Sequence, residues 1–274
     1  MFVEGGFGKF IIGSEANGTA LLHVMAPDAA GNTDTDGILT GGWAVVAPTA
    51  AAGGHDFNAR GTTAIDTDDN ADKITYVAPT FYGLTVGASY VPNSKEDDRG
   101  PTKLNNNATV AAGEIFGAGA LYANTFGGLG VKVSAGWVAY DVEAGVLDKT
   151  GVNEYALGSQ LSYAGFTLGG SFRKINSKDS LVGTLAADAT VWDAGLQYAS
   201  GPYAISFVYF ESKQAVTTTQ DDTLSVYQVS GKYALGPGVD VLATAGHAEY
   251  ESDIAGPNNN NEGWAVMTGL SLAF

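Results

Sequence analysis

Apolar and polar residues alternate along most of the chain, and this alternation predicts β-strands. In the final segment, Trp264, Val266, Leu270 and Leu272 are separated by small or polar residues. The same period of two recurs in most segments from residue 71 onward. Because successive side chains of a strand point to opposite faces, each segment has one apolar face and one face of small or polar residues.

The connections between these segments also alternate, between short turns and long polar loops. Residues 164–165 and 200–202 form short turns, whereas residues 92–108 and 176–188 are long and polar. The pattern gives 13 strands of roughly 9–12 residues, a length that suits tilted membrane strands of about 9–11 residues. We therefore predict an all-β, antiparallel, up-and-down transmembrane barrel, with residues 1–274 as one domain.

Aromatic residues near the ends of the apolar faces predict the interfacial girdles of such a barrel. The candidates are Tyr90, Trp137, Tyr163, Tyr198, Tyr203, Tyr233, Tyr250 and Trp264, with Tyr140 as a further one. Two segments, residues 116–122 and 239–250, contain so many small residues that either face assignment fits them.

A soluble β-sandwich is the alternative fold, and it would suit a carbohydrate-binding function. The long strands and the Gly, Ser, Thr and Gln of the second face favour the barrel, since that face suits a wet lumen. A barrel without a channel, as in an adhesin or an outer-membrane enzyme, is the alternative within the same fold.

Composition narrows the function. The formal net charge of -16 argues against nucleic acid as a partner, and the absence of cysteine removes disulfides and thiol chemistry. The three histidines, His23, His55 and His247, stand in no catalytic motif, so we predict that the protein is not an enzyme.

Three segments resemble Gram-negative general diffusion porins, most closely those of α-proteobacteria such as Rhodobacter. Residues 2–13 resemble the hairpin before the porin constriction loop, and residues 71–90 resemble the hairpin after it. Residues 269–274 resemble the porin C-terminal strand, in which the terminal aromatic, here Phe274, is the signal read by the barrel-assembly machinery.

The resemblance implies a 16-stranded barrel in which residues of about 15–71 form a constriction loop that folds into the lumen. It also implies a homotrimer in the outer membrane, in contact with lipid and lipopolysaccharide. The pores of such a trimer let small hydrophilic solutes and ions diffuse passively across the membrane. Because 13 strands are an odd number and no signal peptide precedes Met1, we expect an N-terminally truncated porin sequence.

The charges near the expected constriction are the candidate functional residues, because opposed acidic and basic groups set the field across a pore. The loop carries eight acids and one base, Arg60, which predicts a preference for cations. The acids are Glu15, Asp28, Asp34, Asp36, Asp56, Asp66, Asp68 and Asp69, and the bases expected on the pore wall beside Arg60 are Lys9, Lys73, Lys132, Arg173 and Lys232.

No cofactor is expected, with one weak exception. Asn32, Asp34 and Asp36, followed by Gly37, match the start of a calcium-binding loop, but Trp43 occupies the place of the bidentate glutamate. A looser calcium site in the loop therefore stays an open alternative to acidic pore residues.

Overall fold

The chain forms one continuous antiparallel sheet of 13 strands, in sequence order from β1 to β13. The computed structural model describes residues 1–32, 61–66, 71–94, 111–144, 148–177, 188–215, 219–254 and 260–273. The strands are β1 (Phe2–Gly5), β2 (Gly8–Ser14), β3 (Asp72–Val77), β4 (Leu84–Asn93), β5 (Ala111–Phe126), β6 (Leu129–Ala144), β7 (Asp148–Tyr163), β8 (Phe166–Ser177), β9 (Ala189–Ser200), β10 (Tyr203–Ala215), β11 (Asp221–Gly236), β12 (Val239–Ser252) and β13 (Asn261–Leu272).

This topology confirms the predicted 13-stranded up-and-down sheet and shows that the soluble sandwich was the wrong alternative, since a sandwich needs two packed sheets. The strands from β4 to β13 are between 10 and 16 residues long. Within the described residues β1 pairs only with β2, and β13 pairs only with β12, so the sheet is open between them.

One face of the sheet, which we call the outer face, is apolar and exposed. Across β8 to β11, Leu168, Leu196, Phe207 and Val229 lie directly opposite one another in successive strands. Each of them is between 47% and 59% exposed. In a globular protein in water such a face would have to be covered, whereas hydrocarbon solvates it without cost.

Aromatic rows border this apolar band at both ends. At the short-turn rim, Phe166 stacks on Tyr198 and Tyr203 stacks on Tyr233, with ring centroids 4.5 and 4.9 Å apart. Toward the other rim, Tyr90 stacks on Phe116 at 4.9 Å. Seven of the eight predicted girdle residues lie exposed on the outer face: Tyr90, Trp137, Tyr163, Tyr198, Tyr203, Tyr233 and Trp264.

Tyr250 does not belong to the girdle, and that prediction was wrong. The side chain is 3% exposed and packs against Leu224 and Ala248 on the opposite, inner face. In β12 the buried positions are the even ones, which places Tyr250 inward. Tyr140 is also buried on the inner face, where its hydroxyl donates to Glu154 Oε1 at 2.8 Å.

The two segments with ambiguous registers are now assigned. Phe116 lies on the outer face, 53% exposed, after a β-bulge between Gly113 and Phe116. The bulge contains Glu114, whose φ of 52° lies in the left-handed region.

No helix among the described residues is long and apolar enough to span a membrane.

Candidate functional site

Two parts of the connection between β2 and β3 lie against the inner face of the sheet. We call residues 15–32 and 61–66 the inner loop. The inner loop contains a short helix, α1 (Gly18–Leu21), four residues long. The Asn17 side chain caps α1 by accepting from the Thr19 and Ala20 amides. After the helix ends at Leu21, the Val24 amide donates to Ser134 Oγ, at 2.9 Å, rather than to a carbonyl of the helix.

A row of glycines lets α1 approach the sheet closely. Gly87, Gly119 and Gly136 lie directly opposite one another on β4, β5 and β6. A Cβ atom at Gly119 would stand 2.9 Å from both the Gly18 carbonyl oxygen and the Thr19 Cα. These three glycines therefore form a shallow groove in the inner face, which we call the inner-loop track. Any larger residue there would push the helix toward the middle of the lumen.

Past α1, the chain continues along a polar row of the inner face. Ser134, Gly158, Ser171 and Asp193 lie opposite one another on β6 to β9. Ser134 Oγ accepts from the Val24 amide, and Asp193 Oδ1 accepts from the Ala26 amide at 2.9 Å. Between these anchors, a Cβ atom at Gly158 would come within 1.8 Å of the Val24 carbonyl oxygen.

Hydroxyl groups of β10 and β12 hold the next stretch of the inner loop. Ser206 Oγ accepts from the Ala29 amide and donates to Asp28 Oδ1, both at 2.8 Å. Asn32 Nδ2 then donates to Thr244 Oγ1 at 2.7 Å. The inner loop thus crosses the inner face from β4 to β12, and the side chains of the sheet satisfy its backbone amides as it goes.

A buried ion pair anchors residues 61–66 over β7 and β8. Arg173 is fully buried; its Nε donates to Glu154 Oε2 at 2.7 Å, and Glu154 is fully buried as well. The same guanidinium donates to the Thr62 and Ala64 carbonyls, at 3.3 and 2.8 Å. Five donors in a rigid fork allow arginine to hold a carboxylate and two carbonyls together.

His23 joins the two parts of the inner loop. Its Nε2 lies 3.3 Å from Thr63 Oγ1, and its Nδ1 lies 3.4 Å from Ser134 Oγ. Burial, with a smaller contribution from the Arg173 charge, lowers the pKa of His23 to about 4. The imidazole is therefore neutral near pH 7 and serves as a hydrogen-bonding link between loop and sheet.

The predicted acids of the loop fall partly within the described residues. Glu15 is exposed, and Asp28 and Asp66 are half-buried. The other predicted acids and Arg60 lie outside the described residues: Asp34, Asp36, Asp56, Asp68 and Asp69.

The predicted bases of the wall divide into two groups. Arg173 and Lys73 face inward at the level of the loop, but both are buried and hold the loop; Lys73 Nζ donates to the Glu15 carbonyl. Lys9, Lys132 and Lys232 face inward near the short-turn ends of their strands. Lys232 Nζ lies 3.8 Å from Asp240, which partly balances its charge.

The candidate calcium site stays a prediction, because Asp34 and Asp36 lie outside the described residues. Asn32 itself is engaged with Thr244 and with Asp28, whose Oδ2 accepts from the Asn32 amide at 2.6 Å. Among the described residues there is no cluster of three or more His, Cys, Asp or Glu side chains that could hold a metal ion. Phe274 lies outside the described residues too, so its part in assembly also stays a prediction.

Sequence reasoning missed the anchoring residues. It assigned Gly and Ser of the inner face to a wet lumen, whereas Ser89, Ser134, Ser206 and Thr244 bind the loop or support residues that do. Glu154 was not singled out at all. The signal that identifies this track is the alignment of small residues across neighbouring strands, which requires the strand register.

A membrane-spanning antiparallel sheet, with a loop laid along its inner face, defines an outer-membrane channel wall. The sequence profile of Gram-negative porins matches residues 1–253, and the chain belongs to this family. It is accordingly a protein of the bacterial outer membrane. No match was found among curated protein sequences.

Solved structures show the same fold. The anion-selective porin from Comamonas acidovorans superposes with a TM-score of 0.66 at 17% identity, over 100% of this chain and 76% of that one. OmpT, an outer membrane protein of Vibrio cholerae, gives 0.58 at 15% identity, over 97% of this chain and 76% of that one. A porin refined at 1.8 Å gives 0.55 at 14% identity, over 98% and 80%.

Proposed function

We propose that this porin is a passive diffusion channel for small hydrophilic solutes and ions, and that it prefers cations. Its acidic loop and its barrel would act as a sieve, with no catalytic step. The homotrimer, the calcium site and the α-proteobacterial subtype remain predictions from the resemblance and the sequence.

The engagement of Arg173 and Lys73 is the observation that carries the cation preference. Both bases lie at the level of the inner loop, where they would oppose its acids across the pore. Both are instead buried, and Arg173 is neutralised by Glu154. Among the described residues of the inner loop, the carboxylates are Glu15, which is exposed, and Asp28 and Asp66, which are half-buried, and no Lys or Arg is found there.

Electrostatics at a constriction make such an imbalance effective. Low-dielectric walls focus the field of fixed charges in a narrow aqueous passage, so that cations accumulate there. The screening length is about 10 Å at 0.1 M salt and about 3 Å at 1 M, so the preference should fade at high salt. The chain as a whole, with the loop included, carries a formal charge of -16, which acts in the same direction. The anion-selective porin from Comamonas acidovorans, at 17% identity, shares the fold but gives no guide to charge selectivity.

The test is the reversal potential of the purified protein in a planar bilayer, across a potassium chloride gradient centred near 0.1 M. We expect the sign that marks cation preference, and a smaller value for a Glu15→Gln, Asp66→Asn double variant. Glu249→Gln is the matched control, because it removes an acid from the outer face of β12. Anion preference in the unaltered protein, or equal shifts in control and double variant, would reject the proposal.

A further inference from the structure

The outer face has a groove across β11 and β12, where large side chains are missing. Gly231, Ala243 and Ala245 form its floor. Larger residues of the neighbouring strands surround them: Ile205 lies opposite Gly231, and Val266 lies opposite Ala245. The cavity measures about 670 Å³, within the range of roughly 300–1,000 Å³ of small-ligand sites.

The strand register places this groove inside the hydrocarbon layer. At one end, Tyr203 and Tyr233 lie opposite each other in the aromatic row of the short-turn rim. At the other end, Tyr209, Tyr227 and His247 form a cross-strand row. Six residues separate Tyr233 from Tyr227, or about 20 Å along a strand. Aromatic rows mark the two membrane interfaces, so the groove lies between them.

The groove is open toward the short-turn rim. Tyr198, Tyr203 and Tyr233 of that rim line it, whereas Tyr227 and His247 of the far row do not. Short turns face the periplasm in outer-membrane barrels. An occupant therefore enters from the periplasmic leaflet, with its polar end near the tyrosine rings and its apolar end toward the middle of the membrane.

Chemistry and length both select a hydrocarbon chain. Apart from Ser200 at the short-turn end, the outer-face side chains of the groove are apolar or aromatic. The charge of Lys232, which borders the groove, lies on the inner face near Asp240. From Val241 to Ala245 the floor runs four residues, about 14 Å along the strand. With a strand tilt of about 40°, this length covers about 11 Å along the membrane normal, which lies within the roughly 15 Å of one leaflet of the hydrocarbon core.

We propose that this groove binds one acyl chain of a phospholipid from the periplasmic leaflet. The tyrosines of the short-turn rim then lie beside the glycerol and headgroup region. The site is on the outside of the wall and is separate from the pore, so it is independent of the proposed channel function.

Native mass spectrometry of the protein tests this after reconstitution into phosphatidylethanolamine and phosphatidylglycerol vesicles and extraction in mild detergent. We expect phospholipid to remain bound to the unaltered chain. An Ala243→Phe, Ala245→Phe variant, which fills the floor with apolar side chains, should lower retention about tenfold. An Ala120→Phe, Ala135→Phe variant is the control, because these two outer-face alanines lie opposite each other on β5 and β6.

A phosphatidylethanolamine with a photoreactive group at the end of one acyl chain gives a second readout that needs no variant. Crosslinks should concentrate in the peptides that contain Gly231, Ala243 and Ala245. Equal retention by filled and unaltered protein, or crosslinks spread evenly over the outer face, would overturn the proposal. So would a filled variant that loses only its association with other copies, because the groove would then be a contact between subunits. Conductance should be the same in all these variants.

Discussion

The two faces of the same strands differ in what specifies them. On the outer face, residues such as Leu168, Leu196 and Phe207 need only be apolar, because fluid hydrocarbon accommodates any such side chain. On the inner face, Gly119, Gly158 and Asp193 are each tied to particular atoms of the inner loop. The lipid around the barrel thus determines only that outer-face residues are apolar. The residues of the inner face must in addition fit one particular segment of the chain, the inner loop.

This difference explains why the inner face is rich in small residues although a channel wall has no need of them. A loop at this depth is surrounded by side chains and must have its amides satisfied. Ser134, Asp193 and Ser206 meet that requirement while occupying little space. The packing of the inner loop against the sheet therefore determines the shape of the pore. The fixed charges of the pore act on solutes within that shape.

The largest expected effect comes from breaking the inner-face ion pair with Glu154→Gln. The change leaves the Arg173 guanidinium buried without a counter-charge, which typically costs about 3–5 kcal/mol. Urea-induced unfolding in lipid vesicles should show a loss of this order.

A second variant separates the buried charge from the lost contacts. Glu154→Leu combined with Arg173→Met removes both charges and should recover part of the stability, since apolar pairs can replace a buried ion pair. If Glu154→Gln alone unfolded within about 1 kcal/mol of the unaltered protein, the ion pair would not be the anchor described above.

A somewhat smaller effect is expected on the outer face from Leu196→Lys. Leu196 lies between Leu168 and Phe207 in the apolar band, and a lysine there should cost about 2–4 kcal/mol near the membrane midplane. The adjacent Gln197 points inward, so Gln197→Lys should be tolerated. Similar unfolding free energies for the two variants would mean that the faces are assigned wrongly.

The period of two in the sequence was sufficient to predict the strands, their order and the face on which most of the aromatic candidates lie. It failed at Tyr250, because β12 alternates Ala and Gly on both faces near its middle and leaves only long-range packing to choose between them. The position of the inner loop on the sheet could not be predicted from the sequence for a related reason. Ser134, Gly158 and Asp193 lie far apart in sequence and form a row only through three strand registers.

Charge was also harder to predict than fold. The alternation along their strands predicted that Lys73 and Arg173 face the lumen, and both do face inward. The alternation does not reveal whether another segment of the chain covers a side chain, and the inner loop covers both. The sequence therefore predicted where these bases point but not what they contact.

The contact between the inner loop and the sheet can be measured by a disulfide bond across it, since the chain contains no cysteine. A Cβ atom at Gly136 would stand 3.3 Å from the Thr19 Cβ, close to the range of about 3.5–4.5 Å found in disulfides. A Thr19→Cys, Gly136→Cys variant should form the bond on mild oxidation of the folded protein in membranes, as read by thiol counting with mass spectrometry. Thr19→Cys with Ala265→Cys, on the inner face of β13, should keep both thiols free. If the first pair stayed as reduced as the second, the inner loop would not lie on the glycine row and the pore would not be shaped as described.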